Sequence, residues 1–164
     1  MTEVRRHEAM NENAPLMYLP ENHWSPRYNA TFYTIHCNGF ALIKDNPPDV
    51  PSEMQGKTSL PAYYYSITVC REHDKRIIQR RYSHFWWLYQ QIKSHPLTIL
   101  PSHSVTTTTQ PIEMPSGTCP FFFHRQDDHF AATRQERLSQ FLQDVLGRPG
   151  YANHAAVKIF LELK

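Results

Sequence analysis

Glycine is scarce in this chain, with five in 164 residues. Turns that need a residue without a Cβ are therefore few, and neither GxGxxG nor GxxxxGKS/T occurs. That excludes the glycine-rich phosphate cradles of nucleotide-binding enzymes. Cysteine is almost absent too. Cys37, Cys70 and Cys119 form an odd, widely spaced set with no CxxC, so no disulfide framework is expected and a reducing, cytoplasmic location fits. Cys119 stands beside Pro120 with no placed base, so it reads as a plain thiol. No apolar run approaches the roughly 20 residues that span a bilayer. The opening TEVRRHEAMNEN lacks the apolar stretch of a secretory signal. Any membrane contact is expected to be peripheral.

Charge of one sign is also lacking. The formal net charge is +2, which leaves room for a local basic patch but not for a nucleic-acid footprint, even with Arg5, Arg6, Arg80 and Arg81 present. The ten histidines include His124 and His129, five apart, but no HExxH or Cys/His cluster. No metal, cofactor or enzymatic chemistry is expected.

What the chain does hold is proline, thirteen residues of it, which implies long and stiff connections. It also holds Arg80-Arg81-Tyr82-Ser83-His84-Phe85. Arginine presents a planar fork of donors suited to phosphate, and tyrosine a flat ring with a hydroxyl. The hexapeptide therefore reads as a site for a phosphorylated ring.

The remaining text orders itself around that site. Residues 1–29 are polar and aperiodic and read as a mostly disordered tail, with Trp24 and Tyr28 tacking its end to a domain over 30–164. Thr31 to Ile43 reads as a strand with a bulge or turn at Asn38-Gly39. Tyr63–Cys70 and Arg76–Tyr82 read as two more, joined as an antiparallel hairpin by the polar run Arg71–Lys75. Ser83 has the chemistry of a helix N-cap. Phe85, Leu88 and Ile92 follow at helical spacing, with one of Trp86 and Trp87 expected in the core, and Pro96 marks the helix end. Residues 96–120 carry five prolines and four consecutive threonines, a loop too long to be idle. From Phe130 the period is helical again through Leu138, Phe141, Leu142, Val145 and Leu146, ended by Gly147, Pro149 and Gly150. Asn153 is placed to cap a last helix bearing Ala156, Val157, Phe160 and Leu161. Strands followed by helices, without βαβ alternation, indicate an α+β fold.

Two segments carry a family resemblance. Arg80-Arg81-Tyr82-Ser83-His84-Phe85 with Trp87-Leu88 is similar to RRYSxF-x-WL, and Asp127-Asp128-His129-Phe130 with Arg134, Leu138, Phe141 and Leu142 is similar to DxxF-x3-R-x3-L-x2-F-L/I. With the late Phe160-Leu161, the chain resembles a phox-homology (PX) domain of the small single-domain sorting-nexin type over 31–164. The resemblance implies a three-stranded antiparallel sheet packed on a helical subdomain of three or more helices. It also implies binding of phosphatidylinositol 3-phosphate on endosomal membranes in support of protein sorting. Arg81 would grip the 3-phosphate, Tyr82 would stack under the inositol ring, and Arg134 would bond the 4- and 5-hydroxyls. Arg80 would face out or pair within its strand.

This chain also departs from the family pattern. The family's lysine for the 1-phosphate is missing, since residues 94–124 hold no lysine or arginine. Arg125, His103 and Arg80 are the accessory candidates. The LPxxP motif is reduced to Leu100-Pro101-Ser102-His103, and His84 and Trp86 stand where acidic residues are common. In the long loop, Val105, Ile112, Met114 and Phe122 are candidates for bilayer insertion, and Phe121 for the return to the core. The second functional reading is a protein-interaction module of a sorting complex, with weak or altered phosphoinositide binding. Its tail or proline-rich loop would contact complex or cargo proteins.

Overall fold

The computed structural model describes residues 16–20, 31–57, 59–71, 73–97, 110–117 and 127–163. The β-branched and aromatic runs form the sheet. β1 is Leu16–Tyr18, β2 Thr31–Ile43, β3 Ala62–Arg71 and β4 Asp74–Arg81. They lie in the order β1-β2-β3-β4, with β1 parallel to β2 and the other pairs antiparallel. The β2–β3 register shifts between Cys37 and Phe40, where Gly39 has φ +138°. This is the bulge expected at Asn38-Gly39, and only glycine takes that conformation without strain.

The sheet has four strands where the sequence indicated three. The extra one comes from within the segment read as tail. Leu16 is only 5% exposed, and its backbone is held by a side chain 137 residues away: Leu16 N donates to Asn153 Oδ1 at 2.9 Å, and Asn153 Nδ2 donates to Leu16 O. Asn153 is therefore spent on β1. The last helix, α3 (Ala155–Leu161), is capped instead by His154, whose Nδ1 accepts from Ala156 N at 3.1 Å. The β3–β4 hairpin is also tighter than its polar text implied, since pairing runs on to Arg71 and Asp74.

α1 (Tyr82–Ser94) and α2 (Asp128–Leu146) pack on the inner face of the sheet. Phe85, Leu88 and Ile92 of α1 and Leu138, Phe141, Leu142, Val145 and Leu146 of α2 are buried as their spacing indicated. Trp87 packs half-buried against this core, whereas Trp86 is exposed. Phe85 meets Phe160 of α3 edge-on at 5.0 Å and Tyr65 of β3 at 6.3 Å, which ties sheet and helices into one core. No helix among the described residues is long and apolar enough to cross a membrane.

Candidate functional site

Side chains alternate faces along a strand. On β4, Ile78 and Arg80 point to the helices, while Ile77 and Arg81 point the other way, and Ile77 is 65% exposed. Arg80 is fully buried. Its Nε and Nη2 donate to Phe160 O at 3.0 and 2.8 Å, its Nη2 pairs with Glu162 Oε1 at 2.6 Å, and its Nη1 donates to Gln79 O at 3.0 Å. Burial lowers its pKa, and the Glu162 carboxylate counters that. Arg80 does not face solvent; apart from its bond to Gln79 within the strand, its partners are Phe160 and Glu162 at the end of α3, so burial keeps it from serving as an accessory headgroup ligand. It fastens the end of α3 to the sheet.

Arg81 ends β4 and precedes the first residue of α1. Its backbone N–H donates to His84 Nδ1 at 3.2 Å, so His84 closes the helix start one turn in. The N-cap is Arg81, and Ser83 lies inside the helix with its side chain exposed, in place of the capping role expected for it. Burial, then the nearby Arg80 and Arg81, push the His84 pKa down to about 4, so the ring is neutral at pH 7. The Arg81 guanidinium is half-exposed and rests on Ser59, donating to its carbonyl at 3.3 Å and lying 3.4 Å from its hydroxyl.

Arg134 comes from α2, whose first turn is capped by Asp127 accepting from His129 N at 2.8 Å. Phe130 stands four residues earlier on the same helix face. The Arg134 guanidinium carbon lies 4.2 Å from the Phe130 ring centroid and 4.5 Å from that of Tyr82. Two rings thus hold the guanidinium and leave its N–H edge free to bond. That edge faces the segment 110–117, where Arg134 Nη2 donates to Gly117 O at 3.2 Å and approaches Ser116 O at 3.5 Å. Tyr82 Oη donates to Pro115 O at 2.6 Å, and burial raises its pKa against the opposing effect of Arg134. A Cβ on Gly117 would meet the Tyr82 ring at 3.0 Å, so a bare backbone is needed there.

Arg81, Tyr82 and Arg134 line one cleft of about 230 Å³, together with Ser59, Tyr63, Tyr65 and Phe130. Tyr63 Oη donates to Asp128 Oδ1 at 2.7 Å, which fixes the start of α2 against β3. Burial pushes the Tyr65 hydroxyl up to about 12, opposed by Arg134. The cleft thus offers two permanent cations, several hydroxyls and an aromatic wall. The three residues that the hexapeptide and the later arginine segment singled out converge here. Tyr82 shares its ring with Arg134, so it is a wall of the cleft and a support for Arg134 at once.

Ser59 and Phe130 complete the cleft. Phe130 was legible from its i, i+4 spacing to Arg134, whereas nothing in the text marks Ser59. Ile112 and Met114, expected to insert in a bilayer, are half-buried against the core in this arrangement. The exposed aromatic nearest in sequence is Trp86, one helical turn past Tyr82 on the same face and 5.4 Å from the Tyr89 ring. Val105, Phe122, Phe121, Arg125 and His103 lie outside the described residues, as do Trp24, Tyr28, Cys119 and His124. Among the described residues, no group of three or more His, Cys, Asp or Glu could hold a metal ion.

A family model described as the PX domain matches residues 68–164. Among solved structures, the chain is similar to the X-ray structure of a designed CISK-PX domain at 17% identity and a TM-score of 0.48, covering 75% of this chain and 92% of that one. No curated protein matches.

Proposed function

Because the chain belongs to the PX domain family, whose members are phosphoinositide-binding, generally non-enzymatic membrane modules, we propose that it reads phosphatidylinositol 3-phosphate on endosomal membranes and supports protein sorting there. The observation that carries this reading is the convergence of Arg81 and Arg134 on one cleft that Tyr82 also lines. Arg81 is the 3-phosphate ligand, free to turn its fork because, among the described residues, only Ser59 holds it. A charge-assisted contact of this kind contributes about 1.5–3 kcal/mol. Arg134 bonds the 4- and 5-hydroxyls with the edge that now meets Gly117 O and Ser116 O. Two cations in so small a cleft match one phosphate plus hydroxyls better than a polyphosphorylated ring. Isothermal titration with short-chain phosphatidylinositol 3-phosphate tests this. Saturable binding that Arg81→Ala weakens at least tenfold supports the reading, and binding indifferent to Arg81 removes it.

One observation favours the second reading, a protein-interaction module of a sorting complex with weak phosphoinositide binding. The carbonyls of Pro115, Ser116 and Gly117 already occupy the donors of Tyr82 and Arg134 that a headgroup would use. Gly117→Ala, which crowds Tyr82, separates the two. Under the second reading it lifts that competition and raises headgroup affinity several-fold. Under the first, the segment is a wall of the pocket and affinity falls.

A further inference from the structure

Tyr63 and Tyr65 stand two residues apart on β3, so both point to the inner face, and both are buried while lining the headgroup cleft. Their hydroxyls meet opposite charges carried by α2. Tyr65 faces the Arg134 guanidinium, whereas Tyr63 Oη donates to Asp128 Oδ1 at 2.7 Å. Burial first, then the bond to Asp128 and the charges of Asp128 and Asp127, push the Tyr63 hydroxyl up to about 12. Negative charge from the start of α2 thus reaches the wall of a cleft that takes an anion under the reading above.

Helix construction accounts for only one of the two carboxylates. Asp127 is the N-cap of α2 and accepts from His129 N at 2.8 Å. It also satisfies the preference of a helix start for an acidic group. Asp128 bonds across to β3 instead, and a neutral side-chain amide oxygen would accept the Tyr63 hydroxyl equally well. The bond therefore explains an acceptor at this position but not its charge. Among the described residues, neither Asp127 nor Asp128 forms an ion pair with Arg81 or Arg134, so the cleft arginines do not cancel that charge.

Charge balance gives the carboxylate a use. Arg81 and Arg134 bring two positive charges to the cleft, and one phosphomonoester brings about −1.5 to −2. A second phosphate would add as much again, with no third cation among the residues that line the cleft. Under the phosphatidylinositol 3-phosphate reading, on which this inference rests, Arg134 meets the 4- and 5-hydroxyls. A phosphate at either position would enter the part of the cleft bordered by Arg134, which lies within two turns of Asp128 on α2. We propose that Asp128, anchored on Tyr63, is a specificity-determining residue whose charge rejects headgroups with a second phosphate and leaves the 3-phosphate accepted. Specificity needs only such a difference between two ligands, and a placed like charge supplies it.

Calorimetric titration of the full chain with short-chain phosphatidylinositol 3-phosphate, 3,4-bisphosphate and 3,5-bisphosphate tests it. The wild type should bind the 3-phosphate tightest. Asp128→Asn, which keeps an acceptor for Tyr63, should bind at least one bisphosphate roughly fivefold tighter or more, and the 3-phosphate less than about twofold tighter. Such a gain cannot come from a damaged fold. Tyr63→Phe frees the carboxylate to turn to solvent and should give a smaller gain of the same kind, which keeps the test valid if Asp128→Asn does not fold. Equal gains for all three headgroups, or no bisphosphate gain in either variant, overturn the proposal. Failure of the headgroup reading looks different: 3-phosphate binding then ignores Arg81→Ala, while a bisphosphate gain in Asp128→Asn still upholds the role of Asp128.

Discussion

Arg80 and Arg81 are neighbours in the chain but lie on opposite faces of the sheet, one fully buried beneath α3 and one half-exposed at the cleft. Their substitutions should therefore fail in different assays. Arg80→Ala leaves Phe160 O without its donors and Glu162 without its partner, and should cost about 3 kcal/mol of stability, the low end for a broken buried pair because Glu162 is 36% exposed. Arg81→Ala should shift the urea midpoint little and abolish headgroup binding. Paired urea unfolding and titration on the two variants check this, and equal losses of stability would contradict it.

The Arg134 sandwich predicts that charge alone does not suffice. Arg134→Lys keeps the cation but loses the planar group between Phe130 and Tyr82 and the fork that spans two acceptors. Both Arg134→Lys and Arg134→Ala should weaken headgroup binding roughly ten- to hundredfold, from about 1.5–3 kcal/mol of charged hydrogen bonding. Calorimetric titration with the short-chain lipid reads this directly. Phe130→Leu, which removes one of the two rings, should give a smaller loss of the same sign.

How far the text was legible follows from these same residues. The long strands and the α1 and α2 faces were readable because their periods of 2 and 3.6 survive over many residues. β1 was not, because Leu16-Met17-Tyr18 is too short to show a period and is held by Asn153, far away in sequence. Both helix starts depart from the text in the same way. Ser83 and Asn153 are the commoner capping types, yet His84 and His154 supply the acceptors. Arginine is seldom buried, so the text points Arg80 outward or to a partner in its own strand, whereas its parity with Ile78 on β4 turns it inward, where it keeps one bond to Gln79. The grouping of Arg81, Tyr82 and Arg134 was legible as a resemblance, but the bonds from Tyr82 and Arg134 to the Pro115–Gly117 carbonyls were not, since backbone acceptors leave no mark on a sequence.

His84 sets a pH dependence of stability. Its folded pKa is depressed to about 4 from an ordinary 6.5, so the unfolded chain takes up this proton first as pH falls. The contribution is fully present above about 6.5, declines as pH drops toward 4, and is gone below that. Urea unfolding at pH 7 and pH 5 should show a larger loss for the wild type than for His84→Asn, which keeps an acceptor for the Arg81 N–H but does not titrate. Parallel losses in the two proteins would rule this out.

Asn153 predicts a local effect. Asn153→Ala removes both bonds to the Leu16 backbone, at about 0.5–1.5 kcal/mol each. Amide hydrogen exchange should then quicken at Met17 and Leu19, whose strand edge the side chain aligns, with little change in β3 or at the headgroup cleft.

Flotation with liposomes that differ only in phosphoinositide tests the central claim most directly. The account predicts that the wild-type chain floats with phosphatidylinositol 3-phosphate, less with the 4- or 5-phosphate isomers or polyphosphorylated forms, and that Arg81→Ala and Arg134→Ala stay in the soluble fraction. Flotation independent of the 3-phosphate, or unchanged in both arginine variants, would contradict it.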